Sequence, residues 1–346
     1  MTQKSRIGIV VVSYGHHDYI NTIADILGPQ KKIGDKLVLV DNHPEHKAAK
    51  VAEKNRYIDE SIKANNGGFA AGSSLGAERI IDEIDLLFFL NPDTIPSKDL
   101  LSKIRNATNS TNYAAYMPAL MLPDGKINSA GNVVHISGLS WCDRYQEAPN
   151  FTDAVSPIES LSGACMLIRK EWWQLAGGMD SYYFLYYEDT DISTRIRLLG
   201  GKLGLIADAS VVHDYDYAKG SHKWFYLERN RPLLILRTWP SAVIILLLPE
   251  LILVEIGLWA IALLERRIGL KAKSSVSFLK LLPLALRDRR RIQKTRQISS
   301  YDFLLGLRGD LNTPALGFVG RNKIVNAIFV AYRNLCLSLL KVRARR

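Results

Sequence analysis

The sequence predicts an α/β fold built on a mostly parallel central sheet, followed by a helical C-terminal extension. Three observations predict it. β-Branched strand runs alternate with helix-compatible stretches in the N-terminal third, each run ends in polar residues, and the balance of charge changes sharply near residue 265.

Arg6 to Tyr14 (RIGIVVVSY) is a β-branched run without helical period, and Lys36 to Asp41 (KLVLVD) and Leu86 to Leu90 (LLFFL) repeat the pattern. Such runs are typical of parallel strands buried on both faces. Tyr19 to Leu27, Ala48 to Asn55 and Ala70 to Ile84 lie between them and are helix-compatible. In open sheets of this type ligands sit beyond the carboxyl ends of the strands. Those ends carry Ser13-Tyr14, Asp41-Asn42 and Asn91-Pro92-Asp93-Thr94, polar residues expected to converge on one crevice fit for a nucleotide.

Residues 115–180 are more mixed, with a turn signal at Pro123-Asp124-Gly125 and an apolar block, Leu161 to Ile168, before Trp172-Trp173. They read as the acceptor-side half of the same domain. Tyr182 to Gly201 passes from aromatics through four polar residues into a short helix closed by glycine. One more strand, Leu203 to Val212, ends at His213. The next boundary falls near Arg231-Pro232, so residues 1–230 are expected to form the catalytic domain and 231–346 a basic membrane-associating region.

Composition excludes several classes. With 47% hydrophobic and 23% charged residues over 346 positions, the chain is neither disordered nor collagen-like. Cys142, Cys165 and Cys336 lack CxxC spacing, which argues against a disulfide framework or a structural zinc site and fits a reducing compartment. No signal-peptide pattern precedes the first strand, so the N-terminal part is expected to stay in the cytoplasm. The net charge of +11 is unevenly spread: residues 265–346 hold nineteen Lys and Arg against four acids, or +15, which leaves residues 1–264 at −4. A mildly acidic body therefore carries a strongly basic extension.

Ser241 to Leu264 is the most apolar window and is long enough to cross a bilayer. Pro249, Glu250 and Glu255 interrupt it. Its Val, Ile and Leu residues favour insertion by roughly 4.5 to 9 kcal/mol, while each acid costs about 2.5 to 3.5 kcal/mol, so spanning is near break-even. The basic tail favours the cytoplasmic side, and a helix pair dipping into one leaflet suits both constraints. Ser274 to Leu286 and Ile324 to Leu340 read as amphipathic interfacial helices, each base adding about 1 kcal/mol near an anionic surface.

Four segments have residue types suited to chemistry, and each has a plainer reading beside it. Asn91-Pro92-Asp93 offers a carboxylate and an amide, hard oxygen ligands through which Mg2+ or Mn2+ bridges to phosphate; the same residues are ordinary Asx-turn material. Glu188-Asp189-Thr190-Asp191 crowds three carboxylates, which raises proton affinity and suits a general base. Acids in a first helical turn equally complement the macrodipole, and Asp191 is spaced to pair with Arg195. His213 is either a metal ligand or a hydrogen-bonded structural residue. The glycine-rich NNGGFAAG (Asn65 to Gly72) is neither a GxGxxG after the first strand nor a P-loop, which excludes dehydrogenase and NTPase readings by position; it reads as a tight turn into a helix.

Taken in order, VVVSY, LVLVDN, NNGGFAAG, LLFFLNPDT, LMLPDGKINSAG, LSGACMLIRKE, GGMDSYYFLYYEDTDISTRIRLLGG and ADASVVH resemble the successive motifs of glycosyltransferase family 2 over residues 5–225. The closest branch is the rhamnosyltransferase-like one that elongates bacterial surface polysaccharides. The resemblance implies a GT-A fold and inverting sugar transfer from a nucleotide sugar. It implies that Ser13 and Tyr14 line the nucleotide site, that Asp41 contacts the base, and that Asn66 and Gly68 lie beside the nucleotide. Asp93 matches the last carboxylate of the DxD motif and would hold the metal on the diphosphate, with His213 completing the metal site. Asp189 matches the general base, Glu188 falls in the nucleotide-sugar site, and Gly163 and Ala164 match the segment near donor sugar and acceptor. Asn91 stands in place of the first DxD carboxylate, and Ser73-Ser74 replaces the usual pair of asparagines.

The implied cofactor is Mg2+ or Mn2+, and the implied donor a dTDP-, UDP- or GDP-linked sugar, rhamnose being the sugar of this branch. The implied acceptor is a glycan on a polyprenyl diphosphate at the cytoplasmic face of the membrane, with no nucleic-acid partner. Two other readings stay open: a polyprenyl-phosphate glycosyltransferase, and a membrane-bound assembly protein with a degenerate nucleotide site.

Overall fold

The three apolar runs become β1 (Ile7–Ser13), β2 (Lys36–Asp41) and β4 (Leu86–Leu90), paired in parallel in the order β4-β1-β2. The computed structural model describes residues 5–213, 221–312 and 322–344. Every residue of β1 and β4 is buried, as expected of strands covered on both faces. β3 (Glu60–Lys63) extends the sheet beyond β2; its sequence ESIK is half-buried and has no apolar run to announce it.

On the other side of β4 the sheet continues through β11 (Cys165–Arg169), β6 (Ala115–Met121), β12 (Leu203–His213) and β10 (Val155–Ile158). β11 runs antiparallel to both β4 and β6, while β12 is parallel to β6. Two short strands, β5 (Thr94–Pro96) and β7 (Ile127–Ser129), pair with β12 and β6. The sheet is therefore mostly parallel, as the fold class predicts.

Helices α1 (Ile20–Leu27), α2 (Lys47–Ala52), α3 (Gly68–Ile80), α4 (Leu100–Ser110) and α5 (Lys170–Ala176) connect these strands. α3 lies tight against β1: a Cβ at Gly72 would fall 2.6 Å from Val12 Cγ1, and one at Gly76 2.4 Å from Val10 Cγ1. Buried Asp35 accepts the Ile7 and Lys32 amides at 2.8 and 2.7 Å and pairs with buried Arg105 of α4. These amide bonds help compensate the desolvated charge.

The chain divides into two compact units: Met1–Asn132, Cys142–Ile196 and Gly201–Asp216 form the first, and Val133–Trp141, Arg197–Gly200 and Tyr217–Arg346 the second. The second unit holds α7 (Ser221–Thr238), α8 (Ser241–Leu264), α9 (Ile268–Thr295), α10 (Ser300–Leu305) and α11 (Lys323–Ala344). Trp239, Val243, Leu247, Phe303, Leu304 and Leu337 lie in its core. The apolar window that Pro249, Glu250 and Glu255 interrupt forms one continuous helix, α8. Pro249 lies on its exposed side, and its buried acid faces the protein. α9 runs back along α8, since Lys271 Nζ pairs with Glu255 at 2.7 Å and Arg289 donates to Ser241 Oγ at 2.8 Å. Among the described residues two helical segments, Ser241–Leu264 and Lys323–Lys341, are long and apolar enough to cross a membrane.

Candidate active site

β1 and β2 end side by side, with Ser13 in register with Asp41. Ser13 is buried; its carbonyl accepts the Asn42 amide at 2.9 Å and its hydroxyl oxygen the His16 amide at 3.3 Å. Asp41 is also fully buried. Its Oδ1 accepts the His43 amide at 3.0 Å and its Oδ2 the Ala49 amide of α2 at 2.9 Å, so the carboxylate fixes the turn from β2 into α2. The exposed group beside it is Tyr14, whose ring meets His43 edge-on at 5.1 Å. His43 Nδ1 accepts the Glu45 amide at 3.2 Å, which places any proton of the neutral ring on Nε2.

The glycine-rich loop reaches from this corner toward the acidic helix. Asn66 Oδ1 accepts the Gly68 amide at 3.1 Å, and the Gly68 carbonyl accepts Asn42 Nδ2 at 2.9 Å. Gly68 has φ +81°, and a Cβ there would lie 2.1 Å from the Phe184 carbonyl oxygen. Phe184 itself sits at φ +63°, ψ −61°, and the Leu185 amide donates to the Tyr183 carbonyl at 2.7 Å, a γ-turn of the rare strained kind. Tyr186 and Tyr187 follow at φ +65° and +71°. Bulky residues seldom adopt such backbone angles, and they persist where surrounding structure enforces them. The segments matched to the nucleotide loop and to the base thus meet at Gly68 and Phe184.

α6 (Glu188–Leu198) opens on the acidic pair. Asp189 Oδ2 accepts the Gly163 amide at 2.8 Å and Asn132 Nδ2 at 3.2 Å; Oδ1 accepts the Thr190 amide at 2.6 Å and its hydroxyl at 3.2 Å. Burial raises the proton affinity of Asp189 above the ordinary carboxylate range, against the pull of the Gly163 and Thr190 amides. Glu188 is more deeply buried. Desolvation first, and the neighbouring Asp189 charge second, push its carboxyl well above the usual range, and its Oε2 has no hydrogen-bond partner among the described residues. Asp191 is different: it accepts the Tyr183 hydroxyl at 2.9 Å and Arg195 Nε at 2.7 Å. That buried pair is the i,i+4 contact its spacing predicts.

At the end of β4, Asp93 meets β12. Thr94 is in register with His213, and Asp93 Oδ1 lies 3.5 Å from His213 Nε2. The Asn91 amide donates to the Ala164 carbonyl at 2.9 Å. Gly163 and Ala164 therefore join the Asn91–Asp93 turn to Asp189 through two hydrogen bonds, at the carboxyl end of β4. Among the described residues no group of three or more His, Cys, Asp and Glu is placed to hold a metal. Asp93 and His213 lie close enough for both to reach one ion, a donor pair compatible with Mg2+ or Mn2+. Asp214, which follows His213, lies outside the described residues.

The structure adds residues that spacing does not announce. Asn132 and Thr190 bind the Asp189 carboxylate, and His43 stands beside Tyr14. Asn132 lies 57 positions from Asp189, and its through-space contact leaves no periodic signal.

No family model matches the chain. It is 23% identical over 244 residues to the low-salt glycan biosynthesis hexosyltransferase Agl10 of Haloferax volcanii, covering 66% of this chain and 75% of that protein. It is 24% identical over 239 residues to rhamnosyltransferase WbbL of Escherichia coli, covering 64% and 88%. Over 80 residues it is 30% identical to N-acetylglucosaminyl-diphospho-decaprenol L-rhamnosyltransferase of Mycobacterium tuberculosis, covering 23% and 26%. Among solved structures, GalNAc-T7 with UDP, GalNAc and Mn2+ matches 70% of this chain at a TM-score of 0.56 and 17% identity; the match spans 49% of that protein. Residues 1–349 of S. aureus TarS in complex with UDP-GlcNAc match 95% of this chain and 92% of that one, at a TM-score of 0.50 and 12% identity. The fold is that of the GT-A glycosyltransferases.

Proposed function

We propose that this chain, a relative of the rhamnosyl- and hexosyltransferases of glycan biosynthesis, is an inverting glycosyltransferase that uses a nucleotide-sugar donor, rhamnose being the favoured sugar. The acceptor in this reading is a hydroxyl of a glycan on a polyprenyl diphosphate, the substrate class for which the mycobacterial relative is named. The observation that carries the reading is the Gly163–Ala164 bridge, with Asp189 bound at one end and the Asn91–Asp93 turn at the other.

In this mechanism Asp189, whose proton affinity burial raises, takes the acceptor hydroxyl proton as the oxygen attacks the anomeric carbon. The bond to the diphosphate breaks on the opposite face, and this single displacement inverts the centre. Asp93 and His213 are the residues that would hold a divalent ion, which would supply positive charge to offset that growing on the leaving diphosphate. Tyr14 and His43 face the nucleotide base, while buried Ser13 and Asp41 shape their turn. Asn66 and Gly68 flank the phosphates, and Glu188, whose proton affinity burial raises, lies beside the base in the sugar pocket.

The test is transfer from dTDP-, UDP- and GDP-sugars to a lipid-linked acceptor, with the product anomer read by NMR. Asp189→Asn is expected to lower kcat at least about 100-fold. Wild-type-like activity in that variant removes Asp189 as base; consumption of plain polyprenyl phosphate then supports an acceptor that is already anionic. Failure to bind any nucleoside diphosphate supports an assembly protein instead.

The proposal places residues 1–230 as the catalytic region and 231–346 as the part that seats it on the cytoplasmic membrane surface. Ile245, Leu248, Ile252, Leu253 and Ile256 form an exposed apolar face on α8, whereas Glu255 turns inward to Arg231 and Lys271. Lys273, Lys280, Arg287 and Arg290 are exposed on neighbouring α9. α8 is apolar on nearly every side, so lipid contact suits it; a position in the plane of the interface is favoured by the inward pairing of Glu255 and by the basic residues of α9 beside it. Cysteines introduced at Ser241 and Leu264 are expected to react with an impermeant maleimide from one side of the membrane; labelling from opposite sides overturns the in-plane reading.

A further inference from the structure

We propose that Asn132 is a positioning residue for sugar transfer, holding the Asp189 carboxylate in register for the proton it removes; the inference rests on reading Asp189 as the base. Asn132 Nδ2 donates to Asp189 Oδ2 at 3.2 Å and to the Leu161 carbonyl at 3.0 Å. Both partners accept only, with Asp189 ionised, so the orientation of the side-chain amide is settled by its surroundings. The Asn132 backbone amide donates to the Ser160 carbonyl at 2.8 Å, which pins the residue itself.

Four donors meet the Asp189 carboxylate. Gly163 N–H and Asn132 share Oδ2, and the Thr190 amide and hydroxyl share Oδ1. A carboxylate has about four lone-pair sites, so the resting site is full. The backbone donors are fixed by the chain, and Thr190 is the next residue of the same helix. Asn132 is the side chain that reaches Asp189 from a distant part of the first unit, and it ties the carboxylate to the Ser160–Leu161 segment that leads into Gly163. Its second acceptor, Leu161, keeps the amide hydrogen-bonded when an incoming hydroxyl takes its place on Oδ2. Asn132 thus orients Oδ2 before the acceptor arrives and favours the ionised form, as a donor to a carboxylate does. The ionisable neighbours on α6 are Glu188, whose proton affinity burial and the Asp189 charge raise, and Asp191, paired with Arg195. Gly163, Thr190 and Asn132 bring no ionisable side chain.

The experiment measures pH profiles of kcat and kcat/KM for the full chain with nucleotide sugar and a lipid-linked acceptor. It compares Asn132→Leu and Asn132→Asp with wild type and Asp189→Asn. Loss of the donor is expected to move the acid limb of kcat up by about one pH unit in Asn132→Leu. The shift is expected to be larger in Asn132→Asp, where a like charge faces Oδ2 without change of volume. The kcat on the plateau falls roughly 10-fold, while donor KM and nucleoside diphosphate affinity stay unchanged. Unchanged nucleotide binding in either variant confirms that the fold survives. An acid limb that stays in place in such a variant, with Asp189→Asn inactive, overturns the role of Asn132 alone. Full activity in Asp189→Asn overturns both that role and the base.

Discussion

Gly163 donates its backbone N–H to Asp189 Oδ2 at 2.8 Å, and the following residue, Ala164, accepts the Asn91 amide at 2.9 Å. A Cβ at Gly163 would stand 3.4 Å from both Asp189 Cβ and Oδ2, at the near edge of ordinary contact. Gly163→Ala is therefore expected to fold normally, its methyl group packed against Oδ2 and restricting approach to that oxygen. Restricted approach to a reacting group is costly, so kcat should fall roughly 10-fold with the melting temperature almost unchanged. Steady-state kinetics beside a thermal melt separates the two effects, and a variant with wild-type kcat contradicts a role for Oδ2 at the reacting hydroxyl.

Gly68 tests the strained turn. Its φ of +81° and the 2.1 Å approach of the Phe184 carbonyl leave no room for a methyl group. Gly68→Ala should lose about 1 to 3 kcal/mol of stability by denaturant titration and weaken nucleoside diphosphate binding, because the Asn66–Gly68 loop must move away from Phe184. Unchanged stability shows that the Phe184 turn yields easily, which is incompatible with a turn enforced by packing.

Asp41 illustrates how a motif residue acts from a buried position. Two backbone amides, of His43 and Ala49, donate to its two oxygens. Asp41→Asn replaces one acceptor with an NH2 group that confronts an N–H, so a loss of about 1 to 3 kcal/mol is expected. Nucleotide affinity should fall with stability as the turn bearing His43 loosens. Calorimetric titration at a temperature where the variant is fully folded checks this; full affinity there would show that the turn holds its shape without the carboxylate.

Legibility in the sequence followed burial and locality. β1, β2 and β4 were readable because strands covered on both faces are continuously apolar, and α6 because its acids and closing glycine are local signals. β11 read as an apolar block without direction, since Cys165–Arg169 has the same composition whether it runs with or against β4. The site was legible as strand ends but not as a network: Gly163 and Asn132 lie 26 and 57 positions from Asp189. Pro249 and the acids of α8 interrupt its apolar composition without breaking the helix, so composition alone does not locate its ends.

Glu250 gives the second unit a pH dependence whose sign can be worked out. Neither of its carboxylate oxygens has a hydrogen-bond partner among the described residues, and burial pushes its pKa from 4.5 up to about 8 against the opposing pull of Arg231. Between those values the folded state binds the proton that the unfolded state has released, so stability falls as pH rises through this window and the loss is complete above about 8. Glu250→Gln stays neutral throughout. It should therefore raise the melting temperature relative to wild type at pH 8.5, with the gain shrinking steadily toward pH 5. Melts across that range check it: a gain independent of pH would mean that the side-chain amide finds hydrogen bonds the carboxyl lacks, and no gain at pH 8.5 would mean that water reaches Glu250 in the folded unit.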